Sequence, residues 1–181
     1  MSKRATIVVD LQNDYLGTGK WALSGIDAAL ANALRVIEAS RSRGEPVIHV
    51  RHEFPGDDAP FFAAGSEGAE IISTVAPQPG EAVVTKNHPN SFRDTALQHE
   101  LDEAGITHIV LVGAMSHMCI EATARAAADL GYDVTVVHDA CATCDVEFGG
   151  VSVPAQQVHA AAMSSLGFAY AKLVPTCDHI G

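Results

Sequence analysis

The stretch THIVLVGAMSHMCIEATARAAADLGYDVTVVHDA, residues 107–140, decides the fold. It opens on an apolar run, THIVLVG, without polar alternation, which marks a strand covered on both faces. From Cys119 to Leu130 an alanine-rich segment takes helical spacing. DVTVVHDA then returns to β-branched residues, the mark of a second strand. Strand, helix and strand in so short a space imply a crossover unit and parallel strands.

The same grammar extends outward. ATIVVD, from Ala5 to Asp10, is predicted as the first strand. In GIDAALANALRVIEASRSRG, Ile26, Leu30, Ala33, Leu34 and Ile37 recur at helical spacing, and Gly44 stops the helix. PVIHVR is a second strand, and AVVTK a third that ends at Lys86. DTALQHELDEAG and PAQQVHAAAMSSLG read as helices, and AYAKLVP as the last strand. The expectation is a single domain over residues 1–181. Its fold class is α/β: a three-layer α/β/α sandwich around a six-stranded, mostly parallel Rossmann-like sheet. Residues 52–81 interrupt the rhythm with several Pro and Gly and a short helix near EGAEIIST. A loop of this length in a compact domain reads as a lid or pocket wall.

Composition narrows the function. The 181 residues are 48% hydrophobic but only 6% aromatic, so Ala, Val, Ile and Leu fill the core. A net charge of −11 argues against nucleic acid or an anionic membrane as partner. MSKRATIVVD enters a strand without a signal peptide, and no apolar run reaches the roughly 20 residues of a membrane span. The expectation is a cytoplasmic protein with a small-molecule substrate. Its four cysteines, Cys119, Cys141, Cys144 and Cys177, are expected to be reduced.

Parallel sheets bind ligands outside the carboxyl ends of their strands. Those ends offer Asp10, Lys86, the GAMSHMC turn and Asp139. An acid, a cation and a thiol from distant parts of the chain can therefore meet on one edge. Each also has a plainer reading. Cys119 can be a small buried hydrophobe. Asp10 can terminate a strand or cap a helix, and Lys86 can be a solvated lysine. Position favours chemistry for Cys119, because a helix start stabilises a thiolate and offers N–H groups to an oxyanion. Cys141 and Cys144 form a C-x-x-C, open to a redox or zinc reading, but without a second ligand pair. His52, His88 and His117 fall near strand ends and can line a pocket. No glycine fingerprint for dinucleotides or nucleoside triphosphates is present.

Three segments carry a resemblance. VVDLQNDY, VVTKNHPNSF and VLVGAMSHMCIEATARAAADLGYDVTVVHDACAT occur in the order seen in the isochorismatase-like cysteine hydrolases, which the chain resembles over nearly its whole length. The resemblance implies Cys119 as nucleophile, Asp10 as base and later acid, and Lys86 as supporting cation. It implies a cis peptide between Ala114 and Met115, with the N–H groups of Met115 and Cys119 forming an oxyanion hole. It also implies a homo-oligomer, dimer or tetramer. The nicotinamidase branch carries an Asp-x-His metal motif after the second strand. HVRHEFPGDD lacks that motif, so the expectation is no metal, no cofactor and a substrate other than nicotinamide. The reaction expected is hydrolysis of a C–N bond in a small amide or ureido compound, through a Cys119 thioester. Vinyl-ether hydrolysis, or a non-catalytic or redox role on the same fold, are the alternatives. Phe54, Phe61 and Phe62 are expected to face the substrate, with Asn13, Tyr15, His88, Phe92 and His117 as further pocket residues.

Overall fold

A computed structural model describes residues 3–56 and 58–181. Met1, Ser2 and Asp57, the last within the expected pocket wall, lie outside the described residues. The strands are β1 (Arg4–Val9), β2 (Val47–His52), β3 (Ala82–Lys86), β4 (His108–Ala114), β5 (Asp133–Ala142), β6 (Val146–Phe148), β7 (Val151–Val153) and β8 (Lys172–Val174). The helices are α1 (Ile26–Ser42), α2 (Leu97–Glu103), α3 (Glu121–Asp129), α4 (Ala155–Ala169) and α5 (Thr176–Ile180). Six strands form one sheet in the order β3-β2-β1-β4-β5-β8, every neighbouring pair parallel. This is the expected α/β/α sandwich.

The layers follow from the apolar patterns. The first strand is buried from Ala5 to Val9, with successive side chains serving opposite faces. Val8 joins the core beneath α1, where Ala33, Val36 and Ile37 are fully buried. Ile7 and Val9 join the second core, with Leu97 and Leu101 of α2, Ala124 and Ala127 of α3, and Leu166 of α4. Each fully buried Val, Leu or Ile among them contributes roughly 1.5–3 kcal/mol, and each alanine methyl less.

The strand order positions the site. From β1 the chain moves outward through β2 to β3, then returns to place β4 on the other side of β1. The order therefore reverses between β1 and β4, the place in such sheets where ligands bind beyond the carboxyl ends. Register aligns what lies there: Val9 pairs with Gly113, and His52 with Lys86. Gly113 has φ 131°, and a Cβ there would overlap the carbonyl oxygen of Val9, so glycine lets these strand ends close together.

Several boundaries differ from expectation. The first strand stops at Val9, and Asp10 turns away at φ 53°. The segment near EGAEIIST forms two 3-10 turns, Glu67–Ala69 and Ser73–Val75, rather than an α-helix. The helix expected from Cys119 begins instead as a π-turn, Ser116–Ile120, with α3 following at Glu121. Asp139 is not a strand end: β5 continues to Ala142, and the Asp139 carboxylate accepts from the N–H and hydroxyl of Thr176, capping α5. Two elements had not been anticipated. α5 spans too few residues to show a helical period. The β6–β7 hairpin turns on Gly149 and Gly150, both at positive φ, a Gly-Gly signal that was readable.

Candidate active site

Four buried side chains meet beyond the carboxyl ends of the central strands. Asp10 follows β1, His52 ends β2, Lys86 ends β3, and Cys119 lies in the π-turn after β4. The Lys86 ammonium is the hub. Its Nζ is 2.7 Å from Asp10 Oδ2, 3.0 Å from His52 Nδ1 and 3.2 Å from Cys119 Sγ. An ammonium has three protons, and three acceptors surround this one. That explains how a lysine only 1% exposed stays charged.

The electrostatics follow. Burial pulls the proton affinity of Lys86 down, but the Asp10 carboxylate and the Cys119 sulfur outweigh it and hold the ammonium protonated. Burial pushes Asp10 above its ordinary value, against the pull of Lys86. Among the described residues neither Asp10 oxygen has a well-angled hydrogen-bond donor, so contact with Lys86 is an ion pair that leaves lone pairs for an incoming proton. Burial, then the neighbouring carboxylate, pushes the Cys119 thiol up despite Lys86. The resting arrangement is thus thiol, carboxylate and ammonium, with an under-satisfied base beside the thiol. His52 is driven down to about 3 by burial, Lys86 and then His88, so its ring is neutral. With Nδ1 accepting from Lys86, its proton is assigned to Nε2.

Asp10, His52 and Cys119 offer three ligand atoms within 4.8 Å of one another, spacing suited to a metal ion. The ammonium of Lys86 contacts all three residues and already supplies the positive charge there. The donor set therefore does not fit a metal while Lys86 is in place.

The Ala114–Met115 peptide is cis. The π-turn that carries Cys119 starts from Met115, whose carbonyl accepts from the N–H groups of Met118 and Ile120. Ser116 bonds to His159 Nδ1 at 2.8 Å, tying the turn to α4.

The expected pocket residues divide. Phe54 lies 4.3 Å from the His52 ring, Phe61 packs on Phe54 and Trp21, and Phe62 is fully buried against Tyr15. Tyr15 is buried, and its phenol is pushed well up by burial and by Asp10, Cys119 and Cys144. His117 bonds to Thr143 Oγ1 at 2.6 Å. The other three point to different tasks. Asn13 donates to the Glu67 carbonyl, Phe92 stacks on Tyr132 at 6.0 Å, and half-buried His88 pairs with Asp94. Of the C-x-x-C, Cys141 is buried and pushed up to about 12 by that burial, unlike the reactive thiol of a redox pair. Cys144 Sγ instead contacts Met115 Sδ at 3.7 Å.

Two residues gained a role that sequence reasoning had not given them. His52 was placed in a loop near a strand end, yet it closes β2 inside the cluster. Gln12 is fully buried, and its amide pairs with both backbone groups of His52, at 2.7 and 2.8 Å. The available signal was LQNDY itself, an uncharged amide immediately after a buried strand.

A doubly covered parallel sheet with a thiol, a carboxylate and an ammonium at its switch point defines a hydrolase of the cysteine type. The model of the isochorismatase domain matches residues 4–167, and the chain belongs to the isochorismatase family. A crystal structure assigned as an isochorismatase hydrolase from Oleispira antarctica is 52% identical, covering 99% of this chain and 96% of that one, with a TM-score of 0.96. The uncharacterized isochorismatase family protein YddQ of Bacillus subtilis is 44% identical over 172 residues, 95% of this chain and 96% of its own. The ureidoacrylate amidohydrolase RutB of Variovorax paradoxus is 29% identical over 87% of this chain and 74% of its own.

Proposed function

We propose that the protein hydrolyses a C–N bond in a small amide or ureido compound through a Cys119 thioester. The observation that carries this reading is the contact of Cys119 with Lys86 and, through it, with Asp10. Asp10 takes the thiol proton as Cys119 attacks the substrate carbonyl. Lys86 holds the cluster's charge throughout. The N–H groups of Met115 and Cys119 are assigned to the oxyanion, a contribution of about 3–4 kcal/mol per donor in other acyl-transfer enzymes. Asp10 then protonates the leaving nitrogen, which departs as the thioester forms. Water attacks the thioester carbonyl, Asp10 accepts its proton, and the thiol is restored. A nucleophilic thiol with its own proton acceptor suits acyl transfer better than vinyl-ether hydrolysis, which needs no covalent step. The name of the amidohydrolase relative supports the same class. Half-buried Phe54 and Phe61 form the wall that faces the substrate, with Phe62 and Tyr15 packed behind them.

The test is a screen of small amides, ureides and carbamoyl compounds, read by ammonia or amine release. Turnover should vanish in Cys119→Ala while the far-ultraviolet spectrum is unchanged. A Cys119→Ala enzyme with full activity on the compound found would overturn the assignment.

A further inference from the structure

We propose that His52 is a positioning residue for the nucleophile: its neutral Nδ1 takes one N–H of Lys86, which turns the ammonium so that a second N–H meets Cys119 while its charge stays paired with Asp10. The inference rests on the hydrolase reading above and extends it to a residue outside the thiol, acid and lysine.

The geometry supplies the argument. The ammonium sits between an ion-pair partner, Asp10, and two hydrogen-bond acceptors, His52 and Cys119, and rotation about its Cε–Nζ bond is fixed when both hydrogen bonds are made. Without the His52 acceptor, one N–H would be buried without a partner, and the head group would turn to share its protons between two acceptors. The identity of the third acceptor matters. A carboxylate there would compete with Cys119 for the cation and oppose a thiolate by like charge. A neutral imidazole accepts the proton without adding charge. The ring is itself held. Its backbone N–H and C=O pair with the Gln12 amide, which also donates to the Ala69 carbonyl, and its face lies on Phe54. Its Nε2 has no hydrogen-bond partner among the described residues, so Nδ1 carries the one hydrogen bond that the ring makes among them.

The test reads Cys119 directly and needs no substrate. Iodoacetamide alkylation is followed by peptide mass spectrometry from pH 5 to 9, with exposed Cys177 as an internal reference. In the wild type, proton transfer to Asp10 should give Cys119 a rate that is flat across neutral pH, while the Cys177 rate climbs with pH. His52→Leu should lower that plateau about tenfold, and His52→Asp should lower it at least as far. His52→Asn, whose Oδ1 can replace Nδ1 as a neutral acceptor, should come back to within about threefold of wild type. If His52→Leu fails to fold, the near-isosteric Asn and Asp variants still decide. His52→Asn as slow as His52→Asp, or His52→Leu at the wild-type rate, would overturn the positioning role. Failure of the hydrolase reading looks different: the wild-type Cys119 rate would itself climb with pH like that of Cys177.

Discussion

Two carboxylates, Asp10 buried and Glu81 partly buried, show how contacts decide proton affinity. Asp10 has an ion pair but no well-angled hydrogen bond, and burial lifts it. Burial also pushes Glu81 up, but Arg41, the Gln78 N–H and His49 bind both its oxygens and carry it down to about 2. The first residue is left able to take a proton; the second is fixed as a charge. A folded value below the unfolded 4.5 means that Glu81 stabilises fully above that pH. The contribution is lost as pH falls from 4.5 toward 2. Glu81→Gln should therefore cost about 1–2 kcal/mol at pH 7, after allowance for solvent screening. Urea unfolding of both proteins at pH 7 and pH 3 checks this. A difference equally large at both values would contradict it.

At the scale of elements, the close approach of β1 and β4 builds the site. Gly113→Ala would add a Cβ against the Val9 carbonyl, one residue before Asp10, and at a backbone angle unsuited to alanine. Separation of these ends should lower stability by about 1–3 kcal/mol and reduce turnover more than it raises KM. A variant with wild-type melting temperature and activity would show that the approach is dispensable. All six strands of the main sheet were legible in the sequence, the central ones because a strand covered on both faces is a mostly apolar run, the edge strands β3 and β8 as short β-rich runs between turn signals. Asp10, Lys86 and Cys119 were legible as strand-end residues. His52 was less so, since its role depends on β2 pairing with β3 in one register, which places it opposite Lys86. Gln12 was hidden for the same reason: its partners are backbone groups forty and more residues away. Cys119 and Ile120, the last two residues of the π-turn, read as the start of a plain helix, because they have the composition of one.

At the scale of the whole molecule, several large apolar side chains stand exposed. Phe148 and Val151, opposite each other in the β6–β7 hairpin, are 89% and 63% exposed, and Phe168 of α4 is 92% exposed. We propose that a second copy of the chain covers the hairpin, in a dimer or tetramer. Sedimentation should find the assembly in the wild type, and Phe148→Glu should shift it toward monomer. A wild-type protein that is monomeric at every concentration would contradict this. The central claim is that Cys119 carries the acyl group, and trapping tests it most directly. A turning-over mixture is quenched in acid, digested, and the Cys119 peptide weighed. The account predicts a mass increase on Cys119 equal to the acyl half of the substrate, absent in Cys119→Ala. Turnover with an unmodified Cys119 peptide at every quench time, and undiminished in Cys119→Ala, would contradict it.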